Sequence, residues 1–487
     1  MRWYLVLILL GACSAPAARP PTAPSTAAAP AAPSARDLLV DDAADPARHE
    51  AAFERARSLS AELADADADA ARRDAIATSF GRALAVTSGT EGITNRLRNE
   101  LVRGLGSSGS PAAVAPLAAT VRRVEGDQHF LFNRMAVVEL GRLGDEAAIP
   151  VLIEALYLFD PDAPTLRADD VAAEALVRVG RAAVTPLLET LRGANPRVNA
   201  IVDSFITILQ GAGLTPLPSR EEIVHGNAMW VLGSLGGPGV AEALLAETEA
   251  PQSSRRSAAA GALLRLAGPV EGPVRERVEA VFSSTPAGHE GALERGQLLG
   301  SMGMALGGAF LPFLRERMVD LDLALERRVQ AARLHARLAD GAEVRAADAT
   351  LARLPEDDEL ASYLMEPIPS WNALARRCGD RLACYRRALA DAADGDGDAV
   401  KAATMAGRFG VDDPATLEAL VDRLDSRDVA LRVALFTALD HAATHGSPRA
   451  VARIARMRIE EEGEPTWHAV APIALMTQAR LQLRADP

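Results

Sequence analysis

Four short stretches hold residue types whose spacing could do chemistry. Gly104-Leu105-Gly106-Ser107-Ser108-Gly109 spells GxGxxG, the pattern with which a strand-to-helix turn holds a pyrophosphate. That chemistry needs a strand before the glycines. Here "ITNRLRNELV" precedes them with helical spacing, so a loop between paired helices is the better reading. Asp394-Gly395-Asp396-Gly397-Asp398 suggests a calcium loop. Counted from Asp394, an EF-hand needs glycine sixth and glutamate twelfth, where this chain has Ala399 and Met405, so a polar turn fits better. His441 and His445 lie four apart and could share a helical face as zinc ligands. No HExxH and no third ligand at the right spacing accompany them; before Gly446 they suit a helix end, where exposed carbonyls favour imidazole.

Cys378 and Cys384 stand in "RRCGDRLACYRRAL". Six apart on one continuous helix they would point to different faces. Gly379 and Asp380 read as a C-cap and an N-cap, and the resulting helix-turn-helix could bring the sulfurs together. A disulfide is one reading, favoured by an extracytoplasmic address; two separate buried thiols are the other. No GxSxG elbow and no phosphate-binding P-loop is present, so no catalytic centre, cofactor or resident metal is expected. The net charge of −13 argues against nucleic-acid binding, because phosphates demand basic stripes. Lys401 is the sole lysine, which nearly eliminates lysine-dependent chemistry.

The third cysteine gives an address. After Arg2, Trp3 to Leu10 is an apolar run of eight residues, far below the roughly 20 of a spanning helix and suited to a signal peptide. Leu10-Gly11-Ala12-Cys13 resembles the lipobox of bacterial lipoproteins, which implies cleavage before Cys13 and lipid on its sulfur. The alternative is a secretory peptide cut after Ala12 that leaves Cys13 free. Ser14 is not the aspartate that in many Gram-negative bacteria opposes the outer membrane, so a lipid-anchored protein at that membrane, facing periplasm or exterior, is the expected location. Six prolines and nine alanines between Ser14 and Ser34 read as a tether, reaching roughly 65 Å if fully extended.

The elements that must carry all this are helices. Aromatics make up only 4% of the chain, while Ala, Leu and Val abound. Glycines closing apolar runs recur at Gly106, Gly144, Gly180, Gly236, Gly268, Gly303, Gly341, Gly379, Gly410 and Gly446, in steps of 31 to 38 residues except one of 56. The long step, split by Gly213, suggests an inserted stretch. Behind several ladder glycines the same i, i+3, i+4, i+7 pattern returns: Val114, Leu117, Ala118, Val121; Ile149, Leu152, Ile153, Leu156; Val184, Leu187, Leu188, Leu191; Leu417, Leu420, Val421, Leu424. Each glycine is expected to be a left-handed C-cap, and Pro116, Pro150 and Pro186 sit near the start of the second helix.

"ELGRLGDEAAIPVLIEAL" (Glu139 to Leu156) and "ALVRVGRAAVTPLLETL" (Ala175 to Leu191) resemble HEAT repeats of the bacterial type first linked to phycobilisome lyases. The likeness extends over most of residues 75–340 and 400–460. It is weak over 37–90, at the 180–236 interval and in the proline-broken "LPEDDELASYLMEPIPSW". The resemblance implies an all-α fold, an α-solenoid of two-helix repeats whose second helices line a concave, protein-binding surface. The expected organisation is a signal peptide over 1–12, a tether over 13–35, a repeat array over 36–350, an irregular helical connector with the cysteine pair over 351–400, and further repeats over 401–487.

The function these readings favour is a membrane-tethered scaffold for another protein, basic or neutral to complement the acidic chain. Outward residues of the second helices such as Glu154 and Glu189 exemplify where binding would fall. The alternative is a lyase or chaperone-like protein handling a prosthetic group, which the extracytoplasmic address disfavours. Labelling with an alkyne fatty acid tests the anchor: wild type should be labelled and Cys13→Ala should not.

Overall fold

Residues 130–156 show why the chain folds as helix pairs. His129 caps the helix Phe130–Leu143 by accepting from the Leu131 amide, and the helix stops at Gly144, whose φ of 65° is left-handed. Asp145 then accepts from the Ala147 amide at 2.8 Å and starts a single 3-10 turn, Glu146–Ala148, that leads into Ile149–Ala155. Pro150 occupies the first turn, where its missing N–H leaves no bond unmade. Ile149, Leu152, Ile153 and Leu156 are all buried, each worth roughly 1.5–3 kcal/mol on transfer from water. The same plan recurs at Pro111–Ala113 before Val114–Arg122 and at Arg181–Ala183 before Val184–Leu191. In these three units Ala113, Ala148 and Ala183 stand at one place, with no exposed surface.

The fold is thus all-α, an α-solenoid of HEAT-like two-helix repeats. The computed structural model describes residues 38–64, 69–124, 126, 128–215, 217–266, 272–286, 289–461 and 463–485. Cys13, the apolar run before it and the 13–35 tether lie outside them. Among the described residues there is no strand, only an isolated bridge between Phe159 and Arg167. The chain divides into two units after Ala175, within the helix Asp169–Val179. The long 180–236 interval is filled by an extra helix, Pro196–Gly211. The 351–400 connector holds the short helix Leu360–Tyr363 and the pair Ile368–Cys378 and Leu382–Asp391.

A second helix leaves its last carbonyls without intrahelical partners, and here the carbonyls at and beyond its end are wholly or partly buried in most units. The next first helix supplies the donors. Arg98 reaches the carbonyls of Gly89 (2.7 Å) and Thr87 (3.1 Å), beyond the helix Ala70–Val86. Asn133 does the same for Thr120, Val121 and Arg123. Arg256 serves Ala250 and Pro251, Arg295 serves Thr285, Arg328 serves Met318, and Arg432 serves Ser426. Two of these arginines also meet a carboxylate from beyond the following second helix: Arg328 holds Asp358 at 2.8 Å, and Arg432 holds Glu461 at 2.6 and 2.8 Å. Charge-assisted bonds to both partners keep a buried guanidinium from being a liability.

The glycine ladder has two physical origins, not one. Gly144, Gly180, Gly236 and Gly379 end helices with positive φ, as the capping reading requires, while Gly446 has positive φ but lies in the turn beyond the C-cap Ala443. Gly106 and Gly303 instead lie inside the helices Gly92–Ser107 and His289–Met304, and Gly341 opens a helix; Gly410 follows a helix end with a φ of −105°. The capping expectation fails at these four, because close helix approach also selects glycine. Gly141 illustrates that second cause: a Cβ there would sit 2.7 Å from the Cα of Ala175 on the neighbouring helix. Gly268 lies outside the described residues.

Residues 176–487 add a feature that the repeat pattern does not show. The helices Gly397–Phe409 and Val429–Ala442 are buried along nearly all their length. They are covered on one side by neighbouring repeats and on the other by first helices from earlier in the unit, as where Thr437 meets Met304. The last helix, Pro465–Ala485, returns to the start of the unit: Arg178 bonds Gln478 at 3.2 Å, and Arg480 bonds the carbonyl of Arg265 at 2.6 Å. The inner face of the first helices is therefore filled by the chain itself. The open faces belong to second helices, a departure from the lined concave surface that the resemblance implied.

Replacing Arg432 by methionine keeps apolar volume but strands Glu461 and the Ser426 carbonyl. The expected loss is about 3–5 kcal/mol, read as a lower urea midpoint for the second unit, whereas exposed Glu189→Gln should stay within about 0.5 kcal/mol of wild type.

Candidate binding cleft

The sequence-predicted sites resolve first. Gly104, Leu105, Gly106 and Ser107 form the last turn of the helix Gly92–Ser107, not a loop. Their glycines are explained by packing, Gly104 against Phe80 and Gly106 against Glu139. Asp396 caps the helix Gly397–Phe409 by accepting from the Asp398 amide at 2.9 Å, and Asp394 faces Arg423 at 3.3 Å. The shared-face reading of the histidines fails: the helix ends at Ala442, which leaves His441 in its last turn and His445 in the turn beyond, 3.8 Å from Asp412. Among the described residues no group of three His, Cys, Asp or Glu could hold a metal ion.

Cys378 and Cys384 are joined, with 2.00 Å between sulfurs and 5.4 Å between α-carbons. The turn that permits this is Gly379, at a φ of 61°, and Tyr385 braces it with a 2.8 Å bond to the Gly379 carbonyl. Glu189 is exposed on its second helix. Glu154 is not available for binding: it is only 5% exposed and clamped by Arg122 at 2.7 and 2.9 Å. It lies near the end of one second helix and Arg122 near the end of the preceding one, so the pair ties successive repeats.

One group of titratable residues is buried and structural. Lys401 has no exposed surface and gives its Nζ to the carbonyls of Ala336 (2.7 Å) and Ala339, at the end of the helix Leu325–Leu338. Arg408 covers the Leu338 carbonyl beside them. Burial, and then the Arg408 charge, pull the Lys401 pKa well down. His335, 2% exposed, lies 3.7 Å from Glu343, an electrostatic contact too long for a hydrogen bond. Burial lowers the His335 pKa, and His335 followed by Arg315 lowers that of Glu343.

The open feature is a cleft of about 580 Å³ between the second helices Pro414–Asp422 and Pro448–Glu460. Arg449, Arg453 and Arg456 recur at i, i+4 and i+7, which places them on one stripe of the latter helix. A stripe further round the same helix, Ala450, Ile454 and Met457, is buried. Asp422 faces Arg449 at 2.6 Å, and Asp425 faces Arg453 at 2.9 Å. Glu460 also reaches Arg453, at 3.0 Å. Arg427 approaches Glu461 at 3.7 Å, and Arg456 has no ion pair or hydrogen bond from its side chain among the described residues. Among the described residues, Val421 is the sole apolar residue lining the cleft. The i, i+4, i+7 arginines were legible in the sequence, but charge on an exposed helix face is ordinary and does not by itself mark a site.

Comparison with known proteins agrees with this architecture. Residues 134–157 match the PBS lyase HEAT-like repeat, so the chain carries a repeat of that type. They run from the first helix Phe130–Leu143 through the second helix Ile149–Ala155. No curated protein matches the chain. Among solved structures, the complex of CpcE and CpcF of phycocyanin lyase from Nostoc sp. PCC7120 is 17% identical, covering 62% of this chain and 94% of that one, at a TM-score of 0.25. Human deoxyhypusine hydroxylase is 18% identical over 54% of this chain and 96% of that one, at 0.21. Kap95p, from a complex with RanGDP, is 11% identical over 92% of this chain and 66% of that one, at 0.25. At such scores these likenesses carry no argument, and the agreement with the fold rests on the family match alone.

The His335 surroundings set a pH dependence. A histidine whose folded pKa is depressed contributes stability above its unfolded value and loses it as pH falls, because the unfolded chain takes the proton first. Glu343 is also depressed, so its contribution persists until pH drops below the ordinary carboxylate range. Urea midpoints should therefore decline as pH falls below about 6.5, and His335→Gln should flatten that decline.

Proposed function

We propose that the protein is a membrane-anchored, extracytoplasmic HEAT-repeat scaffold that binds another protein through the open faces of its second helices and performs no turnover. The observation that carries this reading is where the polar side chains are spent. Interior arginines, Asn133 and Lys401 answer helix-end carbonyls. Eight charged side chains line one cleft between second helices. Repeat arrays commonly use such surfaces for extended recognition. The anchor rests on the Leu10-Gly11-Ala12-Cys13 motif alone; among the described residues no helix is long and apolar enough to cross a membrane.

The net charge of −13 favours a basic or neutral partner and a salt-sensitive association. A chain lacking residues 1–35, used as bait against envelope extracts, should capture one specific protein at low salt and less of it at high salt. A co-purifying chromophore, or turnover of a small molecule with no protein captured, would overturn the scaffold in favour of a prosthetic-group lyase.

A further inference from the structure

The cleft has a direction to its charge, and from it we infer the kind of segment it takes: an extended stretch of the protein partner with a carboxylate and, about three residues away, a cation. This rests on the protein-binding reading above. At one end Arg449 is matched by two carboxylates, Glu418 and Asp422, and midway Arg453 is shared between Asp425 and Glu460, the latter one turn beyond Arg456. At the other end the balance reverses. Glu461 is already held by both nitrogens of Arg432 from the interior, so it only partly answers Arg427. Arg456 brings a further guanidinium with no ion pair among the described residues. The basic end thus has guanidinium forks open to a carboxylate, and the acidic end has carboxylates in excess.

The separation follows from the helix. Seven residues from Arg449 to Arg456 rise by about 10 Å, which an extended peptide spans in about three residues at roughly 3.3 Å each. Nearly all of the lining is charged, so an apolar ligand would gain nothing by entering. Nucleic acid is a uniform line of negative charge, and Glu418, Asp422 and Asp425 would repel half of it. A mixed-charge segment satisfies both ends. The exposed pairs it would exchange with, such as Arg449–Asp422, are the kind that hold only weakly.

Dye-labelled peptides carrying glutamate and lysine three residues apart test the inference by anisotropy against the full-length protein in detergent. The Glu-Lys peptide should bind at least tenfold more tightly than peptides with glutamate alone or lysine alone, and Arg456→Glu should abolish that advantage with the circular dichroism unchanged. Glu418→Lys should reduce it from the opposite end. Equal binding of the three peptides, competition by inorganic phosphate as strong as by the Glu-Lys peptide, or an unaffected Arg456→Glu variant would overturn the inference. If Arg456→Glu still captures the envelope partner, the scaffold stands and this cleft is not its docking site. If neither protein captures a partner, the scaffold reading itself fails.

Discussion

A helix pair can be stacked on another only if the end of its second helix is made fit for burial. The carbonyls at the end of that helix face the seam between repeats, where several are buried, and an unpaired buried carbonyl costs more than a typical bond returns. In this chain a side chain from the next first helix supplies the donor, as Arg98, Asn133, Arg256, Arg328 and Arg432 do in turn. The register between repeats follows from that requirement. The donor must reach past its own helix to a fixed point on the previous one, so successive pairs cannot slide. Glu154 with Arg122 and Glu461 with Arg432 extend the same constraint one repeat further.

This division of labour explains why the interior is rich in titratable side chains that are committed to the backbone. Lys401, His335, Arg408 and Asp340 lie close together around the seam after Leu338. In an enzyme such a cluster would line a cavity. Here Lys401 and Arg408 end on backbone carbonyls, and Asp340 ends on the amides that open the helix Gly341–Leu351. These three are thereby committed to the backbone, whereas the buried Nε2 of His335 has no hydrogen-bond partner among the described residues. Only outside, where second helices present a face with no repeat packed on it, do charges such as those of Arg427 and Arg456 stay open.

Much of the helical framework was legible because burial imposes a period. The quartets beginning at Val114, Ile149, Val184 and Leu417 are core residues or lie against the core, since a helix touching its neighbour on one face must repeat apolar contacts every three or four positions. The glycines were half legible. A left-handed cap and a close helix contact both exclude a side chain, and a single sequence cannot tell Gly144 from Gly106. Glu154 was misread for a similar reason: outward spacing on its own helix says nothing of an arginine arriving from the previous repeat. The closure of the second unit was invisible, because the period records which face is buried and not what buries it. Arg178 meeting Gln478 is three hundred residues away in the chain.

The burial of Lys401 makes the described body of the protein unreactive toward amine reagents. The sequence holds a single lysine, and its nitrogen has no exposed surface and is bonded to two carbonyls. Succinimidyl esters, aldehyde fixatives and enzymatic side-chain acylation therefore find no lysine to attack while the seam after Leu338 is closed. When it opens, the amine appears at one known position with a pKa free to return to its ordinary value. Acylation of Lys401 in native protein thus becomes a clock for the opening of that seam, with no engineered label needed. Crosslinking to a partner has to use carboxylates or arginines instead.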